Sequence, residues 1–252
     1  VSPSGIGNFR YYILCNIIRV MNGRDLRTGR EQKGWTQQEA AARLGVSQPY
    51  LSLLEKEARR VPERLARKAA STFRLSAVTL PPQDGWHKVQ HKTEDLLAAD
   101  LAALGYPGFS HLRARRKKNP AEVLLAALSA HDLNSRLTEA LPWVLLEYPD
   151  LDWNSLIKEV KVRDLQNRLG FVTSVARQVA EKQGNKKKAE WLRNKEGALA
   201  RSRLFLEDTL CHDSLTKTER QWLNTARSKD AKYWRLLTDL KPEHLSYAST
   251  TS

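Results

Sequence analysis

Cysteine is nearly missing from this chain. There are two, Cys15 and Cys211, in 252 residues. That count excludes a disulfide-built secreted scaffold and indicates a reducing compartment. Long apolar runs are missing too. The most apolar early stretch, 11–20, holds Asn16 and Arg19 and has no small-residue cleavage site after it, so it reads as neither a membrane span nor a signal peptide. Glycine (12) and proline (10) are sparse, and no run of alternating β-branched or aromatic residues occurs, so no sheet is expected. Catalytic signatures are also lacking: no glycine-rich phosphate loop, no Gly-x-Ser-x-Gly and no His-Glu-x-x-His. The six histidines (87, 91, 111, 131, 212 and 244) are scattered. An enzyme is therefore not expected, nor a cofactor. The only methionine is Met21. Residues 1–20 have no amphipathic pattern and are expected to be a flexible leader, or upstream sequence preceding a start at Met21.

Basic charge is abundant. Forty-two Lys+Arg against 28 Asp+Glu leave a formal net charge of +14, and 41% hydrophobic residues suffice for a core. Leu, Ala, Arg and Glu dominate, which favours helix. A basic excess of this size points to an anionic partner, with nucleic acid the default. The charge is densest in 21–80, where twelve Lys+Arg face six Asp+Glu. That block ends at Leu80-Pro81-Pro82-Gln83-Asp84-Gly85, a breaker cluster that opens a linker over 81–92. Residues 93–252 read as helices with short breaks, at Gly105–Gly108, Lys118–Pro120, Leu141-Pro142, Tyr148–Asp150 and Gly184-Asn185. The predicted architecture is all-α.

In the second region, Leu165, Leu169, Val172, Ala176 and Val179 form one apolar stripe within a helix expected over 154–182. After a polar break at 183–185, a second helix is expected over 186–210, with Ala189, Leu192, Leu199, Leu206 and Leu210 on its apolar side. The pair makes a long antiparallel hairpin. Thr216 and Glu219 form a capping box that opens a helix to about Ser228. Trp222, Leu223, Tyr233, Trp234, Leu236 and Leu237 supply the apolar content from there to a last short helix.

The most informative segment is 36–56, TQQEAAARLGVSQPYLSLLEK. Thr36 and Glu39 make a capping box for a helix Gln37–Leu44. Small Ala40 and Ala41 allow close packing. Gly45 can take the positive φ of a sharp helix stop. Ser47 caps the next helix, and Pro49 falls in its first turn, where a missing N–H costs nothing. Leu51 and Leu54 face inward. This is helix, tight glycine turn, helix.

Together with Leu26-Arg27, Arg30–Gln37, Val61-Pro62 and the helix Glu63–Phe73, this segment makes 22–80 resemble the lambda-repressor/Cro-type (XRE) helix-turn-helix domain, over about 60 of the 252 residues. The resemblance implies a five-helix DNA-binding domain whose helix from Gln48 to Lys56 enters the major groove. It implies that Gln37 holds a phosphate and Gln48 reads a base edge, a glutamine amide being able to donate to and accept from adenine at once. Tyr50 and Ser52 would face bases or backbone, and Arg59 and Arg60 would contact phosphates. Pro49 and Leu53 depart from the family, where these positions are often polar. Pro49 cannot hydrogen-bond a base and Leu53 can touch only a thymine methyl, leaving more to DNA shape. Arg24, Arg27, Arg43 and Arg64 read as an ordinary solvated face.

Other constellations carry less. The basic run 113–118 (RARRKK) reads as a solvated loop or a phosphate-binding arm, and Lys186–Lys188 as solvent-facing. Asp208 and His212 are one helical turn apart, but no second ligand group accompanies them, so 207–213 is expected to be a helix end whose acids pair with Arg201 or Arg203, not a metal site. Trp143, Trp153, Trp191, Trp222 and Trp234 read as core or interface anchors. Gly170, in Asn167–Phe171, marks either a close helix crossing or a partner-binding groove.

The leading functional expectation is a sequence-specific transcriptional regulator. Half-sites about 34 Å apart call for a homodimer, with 93–252 supplying dimer or partner contacts. It would sit in the bacterial cytoplasm at the nucleoid and repress its own promoter. The 101–247 region also faintly resembles regulators paired with nucleotidyltransferase-type toxins, which implies an antitoxin role. The alternative is a ligand-responsive repressor with a cavity between the 154–210 hairpin and the terminal helices.

Overall fold

The computed structural model describes residues 21–82, 93–113 and 116–248. The leader expected at 1–20, most of the 81–92 linker and two arginine-run positions lie outside them. The described residues divide into two compact units that part between Pro81 and Pro82.

The first unit contains α1 (Gly23–Gln32), α2 (Gln37–Leu44), α3 (Gln48–Glu55) and α4 (Glu63–Phe73). Each boundary has a local cause. Asn22 and Asp25 form a capping box at the start of α1, and Thr36 and Glu39 form one at α2. Gly45 ends α2 at φ +70°, letting Val46 N–H donate back to Ala41 O at 3.0 Å. Ser47 caps α3. Leu26, Ala40, Leu51, Leu54, Ala66 and Phe73 are buried and form the core. The fifth helical element is only a 3₁₀ turn, Ala77–Thr79, because Pro81 and Pro82 follow too closely for a longer helix.

The second unit contains α5 (Glu94–Leu104), α6 (Pro120–Leu128), α7 (Ser135–Glu147), α8 (Trp153–Val162), α9 (Gln166–Lys182), α10 (Lys186–Ala200), β1 (Asp208–Thr209), α11 (Lys217–Ala226), α12 (Lys229–Tyr233) and β2 (Leu236–Leu237). Helix α6 is buried along its whole length, and α9 from Gln166 to Ala176, so these two are the centre of the core. The antiparallel hairpin is α9–α10, joined by Gln183–Asn185 with Gly184 at φ +71°.

Several boundaries differ from the sequence reading. The helix expected over 154–182 is two helices. Asp164 takes a left-handed φ of 56°, and Leu165 N–H closes back on Val160 O at 2.8 Å. The apolar stripe survives the break because Leu165 stays buried. Helix α7 runs through Pro142 instead of breaking there; burial of Leu141 and of Trp143–Leu146 outweighs the helix penalty of about 3 kcal/mol. Helix α10 ends at Ala200, not 210, because buried groups on α9 capture the backbone beyond it, as detailed below. A two-residue parallel ladder pairs Asp208 with Leu236 and Thr209 with Leu237, too short for alternation to announce. Trp222 is 56% exposed and is not a core anchor. No helix among the described residues is long and apolar enough to cross a membrane.

Candidate nucleic-acid interface

The first residues of α2 and α3 are brought together. The Gln48 amide donates to Gln37 Oε1 at 2.8 Å, and the Gln37 amide donates to Glu55 Oε2 at 2.8 Å. Arg30 on α1 grips the same carboxylate with two N–H groups, at 2.7 and 3.0 Å, and donates a third bond to Trp35 O at 3.0 Å. Hydrogen bonding to the Glu55 carboxylate holds the Arg30 guanidinium above its ordinary pKa despite partial burial. The result is a relay from buried to exposed: Arg30, Glu55, Gln37, Gln48. It fixes the rotamer of Gln48 at the surface. It uses one N–H of that amide and leaves its oxygen and second N–H, the pair a base edge such as adenine's requires.

The remaining predicted site residues fall around this point. Pro49 is exposed, and Tyr50 and Ser52 are half-buried on the same helix. Leu53, four residues after Pro49, is 41% exposed. Arg59 is exposed, with its guanidinium 5.9 Å from the centre of the Tyr50 ring, and Arg60 is exposed beside it. Residues 26–80 match a family model described as helix-turn-helix. They are a helix-turn-helix domain of the DNA-binding XRE type. No curated protein and no solved structure matches the chain.

Reasoning from sequence missed the inner half of the helix-turn-helix relay. Arg30 and Glu55 stand among the family-like letters, but nothing in a linear pattern says that they pair across 25 positions. Arg27 and Arg43 are exposed, as a solvated face requires, and each has a neighbour there. Arg27 pairs with Glu31 at 2.8 Å, and Arg43 lies over the Trp35 ring at 4.0 Å.

Outside the helix-turn-helix domain the expected helix end at 207–213 is replaced by β1 and a turn. Its acids do not pair with Arg201 or Arg203. Buried Arg168 on α9 holds Asp208 at 2.7 and 2.9 Å, Asp213 at 3.4 Å, and the carbonyls of Leu128 and Ala130 at 3.0 Å each. Glu207 pairs with Arg227 at 2.6 Å. No metal-binding group of three or more ligands occurs among the described residues. In the basic run, Lys118 is tied to the fully buried carboxylate of Asp100 at 2.8 Å and is not free to reach a phosphate. At the hairpin tip, Lys188 does not face solvent; it donates to Leu146 O at 2.9 Å, near the end of α7. Gly170 opens no partner groove, because the Trp234 ring fills the space beside it.

Proposed function

We propose that this protein is a sequence-specific transcription regulator that binds its own promoter as a homodimer and represses it. The observation that carries the reading is the relay ending at Gln48, which spends a buried ion pair on orienting one exposed amide at the start of α3. With α3 in the major groove, Gln48 reads adenine and Gln37 anchors a phosphate near the N-terminus of α2. Arg59 and Arg60 neutralise phosphates, and Tyr50 and Ser52 fix the register. Pro49 and Leu53 contribute apolar contact to thymine methyls. The second unit supplies the dimer contact that two half-sites need. Such a protein works in the bacterial cytoplasm, at the nucleoid.

Gel shifts of the purified protein on its own upstream DNA, across a salt series, test this. Gln48→Ala should weaken binding by about 1–3 kcal/mol and relax selectivity at one base pair. Undiminished binding by Gln48→Ala would remove the assignment of α3, and no shift with wild type would remove autoregulation.

Two finer roles extend the proposal. As an antitoxin the second unit would neutralise a co-encoded toxin, testable by co-expression with the neighbouring gene. As a ligand sensor it would use a hollow of about 340 Å³ lined by Arg177, Arg193, Glu196, Gly197, Ala200 and Tyr233. The hollow favours that reading by its position at the hairpin. Its arginines are already engaged by Glu181, Glu190 and Glu196, which weighs against it.

A further inference from the structure

Phe205 and Leu206 stand side by side in solvent, 80% and 81% exposed. They are the most exposed large apolar side chains among the described residues. The chain holds them there with buried polar groups. Upstream, Asn167 on α9, only 1% exposed, clamps Leu204 from both sides of its peptide: Nδ2 donates to Leu204 O at 3.1 Å and Oδ1 accepts from Leu204 N–H at 2.9 Å. Downstream, Arg168 grips Asp208 through two nitrogens, and Asp208 N–H donates to Arg235 O at 3.0 Å. Only 205–207 projects between these anchors. Arginines frame the display. The Arg235 guanidinium lies 5.5 Å from the Phe205 ring centre. That of Arg203 lies 4.3 Å from the centre of the exposed Tyr233 ring and donates to Tyr233 O at 2.7 Å. Among the described residues neither Arg203, Arg235 nor exposed Arg201 has a carboxylate partner, and the nearby Glu207 is taken by Arg227.

We propose that the Phe205–Leu206 display is a docking surface for a partner protein, specifically for an acidic segment that carries apolar side chains between its carboxylates. Exposed aromatic and arginine side chains grouped around an apolar centre have the composition of an interface hot spot. Buried hydrogen bonds at both ends remove the ordering cost that a loose loop would meet on binding. Charge selects the occupant. A second copy docked face to face would bring Arg201, Arg203 and Arg235 against their own images with only Glu207, already paired with Arg227, to meet them, whereas an acidic segment supplies further carboxylates. A single-stranded nucleic acid fits less well, because Leu206 offers no stacking plane and arginines lie over Phe205 and Tyr233. The surface lies outside 26–80, so the proposal stands independently of the DNA reading.

Panning a displayed library of random peptides on the full-length protein tests it. Enriched peptides should be net acidic with interspersed apolar residues. A synthetic copy should lose about tenfold or more in affinity on the double variant Phe205→Ser/Leu206→Ser, and also on Arg203→Ala/Arg235→Ala. These side chains are on the surface, so an unchanged thermal midpoint is expected for the first variant and establishes that it is folded. Three results would overturn the proposal: no enrichment, enrichment of neutral or basic peptides, or equal binding by the variants. Two others would reassign the surface and so overturn it too. One is a drop in oligomeric mass of Phe205→Ser/Leu206→Ser in sedimentation. The other is loss of oligo-dT binding by the same variant.

Discussion

At Gly170 the space a side chain would fill is occupied by another residue's ring. A Cβ there would sit 2.3–2.5 Å from three carbons of the Trp234 indole, which is itself fully buried. Neither backbone nor ring has room to yield, since α9 is buried on all sides at this level. Gly170→Ala should therefore destabilise the protein by about 1–3 kcal/mol or more, read as a lower urea midpoint. An unchanged midpoint would show that Trp234 can move aside. The sequence signal was a lone glycine inside a good helix; its partner, 64 positions away, could not be inferred from it. Cys211 is the second case. Burial pushes its thiol up to about 12, Arg168 offsetting only part of that, and its Sγ lies 3.3 Å from Ala127 O. Reaction with iodoacetamide at pH 8 should leave Cys211 unmodified in the folded protein and label it once denaturant unfolds the chain. Peptide-mapped mass spectrometry reads this, and labelling with native circular dichroism intact would contradict it.

Helix starts are the elements most clearly written in the chain. Thr36/Glu39 and Thr216/Glu219 both form the reciprocal pairs that their spacing announces, with each glutamate accepting from the cap N–H at 2.8 Å. Hydrogen bonds from the Thr36 backbone and side chain hold Glu39 below the usual carboxylate range. Those from the Thr216 side chain and backbone do the same for Glu219. A carboxylate whose folded pKa is depressed contributes stability that is present above its unfolded value, about 4.3, and is lost as pH falls through the folded value. Wild type should thus be more stable than Glu39→Gln/Glu219→Gln at neutral pH, and the gap in thermal midpoint should close on acidification below that range. A gap that persists at pH 2 would assign the effect to something other than ionisation. Helix ends were harder to read. Neither stop carries glycine or proline: Asp164 follows its helix in a left-handed turn closed by Leu165 N–H on Val160 O, and beyond Ala200 the Leu204 backbone is held by Asn167 of α9.

For the whole molecule, charge and fold separate by unit. The helix-turn-helix domain carries the densest basic charge, and its exposed Arg59 and Arg60 lie in the segment just after α3. If these contact phosphates, Arg59→Ala should weaken DNA binding about equally across sequences and lower the slope of log affinity against log salt by about one. Gel shifts at several salt concentrations measure both, and an unchanged slope would place Arg59 off the DNA. The second unit carries as large a surplus over nearly three times the length, with many of its arginines consumed internally by Asp208, Glu159, Glu196 and Glu181.

What the sequence by itself determined was local: the all-helical character, the capped starts of α2, α3 and α11, and the glycine stop at Gly45. Those follow from interactions spanning a few residues, where spacing is geometry. The tertiary structure alone decided which distant groups meet. The pairing of Arg30 with Glu55, the capture of Leu204 and Asp208 by Asn167 and Arg168, and the filling of Gly170's space by Trp234 each join residues 25 to 64 positions apart. Burial makes an unpaired arginine or asparagine too costly to leave, so packing selects those partners, and no linear period records them.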